Sequence, residues 1–103
     1  MKMTGRLVAA ARALAGVSRK EFASAAGLSV SQLARIEAKG SAWLTSDARM
    51  DAVLRAFDHF GVVPIDEDGD MGAGVRLKFT RQDVKQILRL EGEGGIVGSD
   101  DSP

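Results

Sequence analysis

The sequence predicts a mainly α-helical fold that ends in a β-hairpin and one more short helix. Three observations support this prediction. Apolar residues recur at helical spacing as far as Phe60, and capping residues and glycines bound each of these runs. After Gly61 the period changes, and a β-branched segment precedes one that alternates between apolar and polar residues. We therefore expect four helices, a hairpin and a fifth helix.

Length and composition fit one compact domain. The chain has 103 residues, of which 45% are hydrophobic, enough to form a core. It has no cysteine, which excludes disulfides and thiolate metal sites. Basic residues interrupt the apolar N-terminal segment, and no run approaches the roughly 18 apolar residues of a membrane helix. We expect a soluble, cytoplasmic protein with no signal peptide and no membrane partner.

The first predicted helix is rich in alanine and follows Thr4, which can cap it. It runs to about Ala15, and Gly16 ends it. One apolar stripe is expected to face the core, and it consists of Leu7, Ala11 and Leu14.

Two short helices follow, joined by a tight turn. Ser18 can cap the first, from about Arg19 to Ala26. Gly27 supplies the left-handed backbone that ends it, and Ser29 can cap the second helix, from about Val30 to Lys39. This pattern is typical of a DNA-binding helix-turn-helix, whose second helix enters the major groove. The sequence thus indicates duplex DNA as a partner.

A longer helix is predicted after a loop. The loop contains the only tryptophan, Trp43, which we expect to plug the core rather than to wedge into DNA. Thr45 or Ser46 can cap the helix, which runs to Phe60 and stops at Gly61. Its apolar positions at helical spacing are Met50, Val53, Leu54, Phe57 and Phe60.

The remaining chain is predicted to form a β-hairpin and a short helix. The first strand, Val62 to Ile65, contains Pro64 and is therefore confined to a sheet edge. A turn-rich loop leads to the alternating strand Val75 to Phe79. A helix from Thr80 to about Leu90 follows, with an apolar face of Val84, Ile87 and Leu88.

The chain is accordingly divided into three parts. Residues 1–61 are predicted to form the helix-turn-helix domain, and residues 62–91 a hairpin-and-helix extension that could pair two copies. Residues 92–103 are rich in glycine and acidic residues and poor in large apolar groups, so we expect a disordered tail.

The sequence contains no complete catalytic or metal-binding pattern, so we expect neither an enzyme nor a cofactor. The acidic loop at 66–70 resembles the start of a calcium loop, but Met71 and Leu77 occupy its glycine and bidentate-acid positions. The glycines at 69, 72 and 74 lack the following Gly-Lys-Ser/Thr of a phosphate loop. His59 is the only histidine and has no partner pattern.

Charge is unevenly distributed along a chain whose net charge is zero. Residues 1–40 carry seven basic and two acidic side chains, whereas residues 61–103 carry five basic and nine acidic ones. The basic half could attract a phosphate backbone. A solvated charged face is the alternative that charge alone leaves open.

A set of residues between positions 6 and 63 follows the pattern of a known family. These residues are Arg12, Ser18, Phe22, Ala23, Gly27, Leu28, Ser29, Leu33, Arg35, Ile36, Glu37 and the run AFDHFGV at 56–62. With them, residues 6–63 resemble the Xre/Cro-type family of bacterial and phage helix-turn-helix repressors. The resemblance implies a lambda-repressor-like helical DNA-binding head. The segment GVVPIDEDGDMGAGVRLKF is similar to an extension of some small members.

The resemblance assigns structural roles to most of these residues. Ala23 must be small because the two motif helices cross there, and Phe22, Leu28, Leu33 and Ile36 are expected to lie inward. In similar repressors an arginine in the position of Arg12 pairs with the glutamate of the Arg-Ile-Glu motif, here Glu37. We expect that bridge, with a phosphate contact by Arg12 as the alternative.

The outward side of the second motif helix is the expected base-reading surface, formed by Val30, Ser31, Gln32 and Arg35. Gln32 could pair with adenine, Arg35 with guanine, and Ser31 with a base or a phosphate. Val30 departs from the long polar residue that is common in the family, and could touch only an apolar group such as a thymine methyl.

Phosphate contacts are expected around this surface, from Arg19, Ser29, Lys39 and Ser41. Arg19 stands where similar proteins often have glutamine, so its charge should strengthen backbone anchoring. The amides that follow Ser29 form a helix N-terminus suited to an anion. The loop that contains Ser41 is longer than the usual family connection.

Together, these features predict a transcriptional regulator. More specifically, we expect a repressor that binds a palindromic operator as a homodimer and associates with the bacterial nucleoid. A chain that is monomeric when free is the alternative to a dimer. A function of a different class is an antitoxin or co-regulator whose C-terminal extension binds a protein partner.

Overall fold

The computed structural model describes residues 2–80. In chain order, its elements are α1 (Gly5–Ala15), α2 (Arg19–Ala26), α3 (Val30–Ala38), α4 (Asp47–Phe60), β1 (Val62–Ile65) and β2 (Gly74–Leu77). This mainly helical fold with a two-stranded antiparallel sheet confirms the predicted fold class. The predicted helix beyond Thr80 and the predicted tail at 92–103 lie outside the described residues. Within residues 2–80, no helix has the length and apolar character needed to cross a membrane.

Local capping interactions set the helix boundaries, as predicted. Thr4 accepts a hydrogen bond from the Leu7 amide, and Ser46 accepts one from the Arg49 amide. Full capping boxes, pairing Ser18 with Glu21 and Ser29 with Gln32, start α2 and α3. Glycines with φ between 69° and 73° end α1, α2 and α4, at positions 16, 27 and 61. Only α3 stops one residue earlier than expected, with Lys39 as its C-cap.

One hydrophobic core joins the four helices to the hairpin. Its largest fully buried side chains are Met3, Val8, Phe22, Leu33, Ile36, Val53 and Phe57. Two aromatic contacts cross the core, because the Phe22 ring lies 6.1 Å from that of Phe57 and 6.0 Å from that of Phe60. The predicted stripe on α1 is confirmed at Ala11 and wrong at Leu14, which is 43% exposed. The helix also buries Gly5 and Val8.

The N-terminal segment is bound to the loop that follows α3. The Leu44 amide donates to the Met3 carbonyl at 2.8 Å, and the Arg6 amide donates to the Gly40 carbonyl at 2.9 Å. Leu44 is buried, whereas Trp43 is 41% exposed, so the predicted role of Trp43 as a core plug is wrong. Trp43 lies instead at the surface beneath the Lys2 ammonium, which is 5.3 Å from the ring centroid.

The β-hairpin packs one face against α1 and α4. Its register pairs Val62 with Leu77 and Pro64 with Val75, and the Lys78 amide donates to the Gly61 carbonyl at 2.7 Å. Because hydrogen-bonded pairs alternate along an antiparallel ladder, the nitrogen of Pro64 faces the outer edge, where its missing proton breaks no ladder bond. The second strand begins at Gly74 and ends at Leu77, shorter at its end than the predicted segment to Phe79.

Gly5 is the position where the close approach of α1 and α3 is most restrictive. A Cβ atom added there would collide with the backbone carbonyl of Ile36. We expect Gly5→Ala to lower the free energy of unfolding by about 1–3 kcal/mol, because backbone atoms on both sides would have to move. For a chain of this size, each 1 kcal/mol corresponds to a fall in Tm of about 4–8 °C.

The matched control for this substitution is Gly72→Ala, which would meet no atom within 4 Å. Thermal unfolding followed by circular dichroism should show a clear fall in Tm for Gly5→Ala and almost none for the control. Equal melting temperatures for the two variants would contradict the proposed close contact.

Candidate DNA-binding surface

The third helix has one buried face and one exposed face. Leu33 and Ile36 are fully buried against the rest of the core, as predicted. On the opposite side, Val30, Ser31 and Arg35 are exposed near the N-terminal half of α3. Within residues 2–80, the Arg35 guanidinium has no hydrogen bond or ion pair, so its donors point to solvent. A DNA major groove is wide enough to admit a helix with an exposed face of this kind.

Gln32 is less free than the sequence suggests. Its Oε1 atom accepts a hydrogen bond from the backbone amide of Ser29 at 2.9 Å, and the backbone amide of Gln32 donates to the Ser29 hydroxyl at 3.0 Å. Bidentate pairing with adenine needs both the oxygen and the nitrogen of the glutamine amide. In this conformation only the Nε2 donor is available, so bidentate pairing would require the capping contact to Ser29 to open.

A buried carboxylate ties α3 to the two preceding helices. The Glu37 side chain is 5% exposed, and its Oε2 atom accepts from Arg12 Nε at 2.9 Å. Its Oε1 atom accepts from Arg12 Nη2 at 3.2 Å and from Arg19 Nε at 3.0 Å. The predicted bridge between Arg12 and Glu37 is therefore present, and it includes a second arginine that the sequence analysis assigned only to phosphate.

The two arginines differ in how fully the protein engages them. Arg12 donates through Nε, Nη1 and Nη2, the last two reaching the Val17 carbonyl and the Glu37 carboxylate. Arg19 donates only through Nε among the described residues, and its side chain is 50% exposed. Arg12 is therefore held as a structural group, whereas the outer end of Arg19 faces solvent.

The charges in this cluster shift two pKa values in opposite directions. Burial raises the pKa of Glu37, but the hydrogen bonds and charges of Arg12 and Arg19 outweigh it and hold that pKa below its ordinary value. The hydrogen bond to Glu37 raises the pKa of Arg12 further above its already high value. The cluster thus stays ionised and carries a net positive charge.

The remaining predicted phosphate contacts lie at the two ends of α3. Ser29 caps the N-terminus, where backbone amides can donate to an anion. Lys39 and Ser41 are exposed beyond the C-terminus, in a turn closed by a hydrogen bond from the Ala42 amide to the Lys39 carbonyl at 3.1 Å. Whether these residues contact phosphate stays a prediction.

A contact that the sequence analysis missed supports the turn between α2 and α3. Arg55 lies on α4, and its Nη2 atom donates to the Ala26 carbonyl at 3.2 Å. A cation at this position favourably meets the partial negative charge at the end of α2. No local pattern around Arg55 could have indicated the contact, because the two residues are far apart in the sequence.

Within residues 2–80, no three histidine or acidic side chains come together as metal ligands would. Two open depressions lie on the surface of the described residues. One is lined by Leu54 and Lys78 beside the hairpin, and the other is lined by Lys2 and Trp43.

Removal of the Glu37 charge should destabilise the fold in a pH-dependent way. We expect Glu37→Gln to lower the free energy of unfolding by about 3 kcal/mol at neutral pH, as for a broken buried ion pair. The pKa of Glu37 is lower in the folded protein, so its contribution to stability is present above the unfolded-state pKa of about 4.3. It is lost as the pH falls through the folded-state pKa.

Urea unfolding of the wild type and Glu37→Gln, followed from about pH 7 to about pH 3, measures this difference. The difference in free energy of unfolding between the two proteins should become smaller as the solution becomes acidic. Glu67→Gln, at an exposed position without an ion pair among the described residues, is the control and should behave as wild type. A gap that is absent or independent of pH would contradict the assigned role.

Comparison with known proteins agrees with this geometry. The family described as Helix-turn-helix matches residues 8–58, a segment that runs from within α1 almost to the end of α4. No curated protein matches the chain. The matched segment contains the capped α2–α3 pair, the buried Leu33 and Ile36 and the exposed Arg35. The chain therefore belongs to the Xre/Cro-like helix-turn-helix family of DNA-binding regulators.

Proposed function

We propose that this protein is a sequence-specific, double-stranded DNA-binding transcriptional regulator that reads bases with the N-terminal half of α3. The observation that carries the proposal is the exposed row on a helix whose opposite face is fixed in the core. The single acidic side chain of α3, Glu37, is buried and neutralised by two arginines, so the row presents no negative charge to phosphate. A rigid probe loses little conformational entropy on binding, which favours affinity.

Base reading and phosphate anchoring are assigned to different residues. Arg35 is the strongest candidate for a base contact, because its guanidinium is unengaged within residues 2–80 and can pair bidentately with guanine. Val30, Ser31 and Gln32 complete the reading row. Phosphate contacts are proposed for Arg19, Ser29, Lys39 and Ser41, which flank it.

A repressor is the regulator that this architecture suits best. A protein bound to an operator can block transcription by occupancy alone, without a separate activation surface. We accordingly propose a bacterial cytoplasmic, nucleoid-associated repressor. A single head reads only a few base pairs, and family operators are commonly palindromic, with half-sites about 34 Å apart. Two copies would then be needed for one operator.

The hairpin offers the surface for such pairing. Val63 and Ile65 point away from the core on β1 and are exposed, although both are β-branched apolar residues. The opposing Arg76 is exposed on the same face. Exposed apolar residues on a sheet face are a typical protein contact, which supports a homodimer. The same face also supports the second candidate function, an antitoxin or co-regulator with a protein partner.

Substitution of two arginines should separate sequence reading from anchoring. Arg35→Ala is expected to weaken binding to the preferred duplex by about 1–3 kcal/mol and to relax selectivity at one base pair. Arg19→Ala is expected to weaken binding to all duplexes alike and to reduce the slope of log affinity against log salt concentration by about one.

The preferred duplex can be enriched from a random-sequence pool, and fluorescence anisotropy against salt gives both quantities. Unchanged wild-type affinity in both variants, or the same loss on preferred and random duplexes for both, would contradict the division of roles. Absence of any salt-sensitive duplex binding by the wild type would overturn the proposed function itself.

The pairing surface can be tested without DNA. Size-exclusion chromatography with light scattering should give a dimer for the wild type and a monomer for Ile65→Lys, because a lysine in the contact would lose its hydration. Met71→Lys is the matched control, since Met71 is exposed in the hairpin loop rather than on the outer face of β1. A wild type that is monomeric at high concentration would contradict the dimer and favour a different partner.

A further inference from the structure

We propose that Glu37 positions Arg19 for a DNA phosphate, so that this buried carboxylate acts in DNA affinity as well as in stability. The inference rests on the proposed function, in which Arg19 is an anchoring residue. The inference gives Glu37 a role in DNA binding although its carboxylate cannot contact DNA favourably, because a carboxylate and a phosphate repel each other.

The first observation is the division of atoms within the Arg19 side chain. Its Nε donates to Glu37 Oε1 at 3.0 Å, whereas its two terminal nitrogens have no acceptor among residues 2–80. One end of the planar guanidinium is therefore fixed by the protein, and the other end points outward with its donors available. A guanidinium held in this way can bind a phosphate through two parallel hydrogen bonds.

The second observation is the contrast with Arg12. All three nitrogens of Arg12 already donate to protein acceptors, and its side chain is only 24% exposed. Arg12 and Glu37 together form a pair without net charge, and Arg19 adds one positive charge at the surface. Around a single carboxylate, one arginine is thus engaged through all three nitrogens and the other through Nε alone.

The third observation is that Arg19 occupies a position where a cation is unfavourable for the helix. It is the first residue of α2, where the partial positive charge of the helix dipole favours acidic side chains. Glu21, in the adjacent capping box, already supplies the acidic side chain that stabilises this N-terminus, so Arg19 is not needed for helix formation. The hydrogen bond to Glu37 offsets the unfavourable placement and fixes the direction of the guanidinium.

Fixing that direction before DNA arrives has a thermodynamic consequence. A free arginine loses considerable rotamer freedom when it is held against a phosphate. A guanidinium already held by Glu37 loses less, so the same contact contributes more to affinity. A lysine at this position would keep the charge but could not bind Glu37 and a phosphate with a planar fork.

The decisive substitution is therefore Arg19→Lys, which preserves charge. We expect it to reduce the affinity of the full chain for a mixed-sequence duplex by about tenfold, while the salt slope stays close to that of the wild type. Lys20→Arg is the matched control at the neighbouring exposed position, and it should change affinity by less than about twofold. Arg19→Lys lies outside the core, so it should fold normally.

A double-mutant cycle identifies the role of Glu37. If Glu37 positions Arg19, the loss caused by Arg19→Lys should shrink to less than about twofold in a Glu37→Gln background, because a neutral glutamine oxygen holds Arg19 more weakly than the carboxylate does. NMR of the DNA-free protein gives an independent readout. The Arg19 Nε–Hε signal should be slow to exchange in the wild type and fast in Glu37→Gln. Circular dichroism establishes that each variant is folded.

Three results would overturn the inference while leaving the proposed function intact. These are wild-type affinity in Arg19→Lys, an equal loss in both Glu37 backgrounds, and an Arg19 Nε–Hε signal that exchanges rapidly in the wild type. If Glu37→Gln does not fold, the Arg19→Lys affinity and the wild-type NMR signal still decide the question. Failure of the wild type to bind the duplex would instead count against the proposed function.

Discussion

The shared carboxylate of Glu37 is the interaction on which the orientation of α3 depends most. It is buried near the C-terminal end of that helix and receives hydrogen bonds from α1 through Arg12 and from α2 through Arg19. Rotating or sliding α3 would separate a buried charge from its partners, which costs several kcal/mol. Leu33 and Ile36 fix the same helix from its apolar side. Polar and apolar contacts therefore specify one orientation together.

The two halves of α3 are consequently suited to different tasks. The C-terminal half is tied down by Glu37 and by the close passage of Gly5 beneath the Ile36 carbonyl. The N-terminal half is held by the buried Leu33 and by its capping box with Ser29, and its opposite face is exposed. A probe that is fixed along one face and exposed along the other can enter a groove without bending. This arrangement connects the packing of the core to the proposed reading of DNA.

Much of this architecture could be predicted because its signals are local. Capping serines and left-handed glycines act within a few residues of themselves, so the helix limits followed directly from the sequence. Contacts between distant segments left no such signal. The burial of Leu44 rather than Trp43, the tight place for Gly5 and the link from Arg19 to Glu37 all depend on how the elements pack. The exposed row with Arg35 was predictable, whereas the engagement of Gln32 by its own cap was not anticipated.

The central claim is that the polar side of α3 is the surface that meets duplex DNA. The most direct measurement is an NMR titration of the full chain with an enriched duplex, following backbone amide shifts residue by residue. The account predicts that the largest changes fall between Ser29 and Arg35 and at Arg19. Changes confined to the hairpin, or none anywhere at saturating duplex, would contradict it.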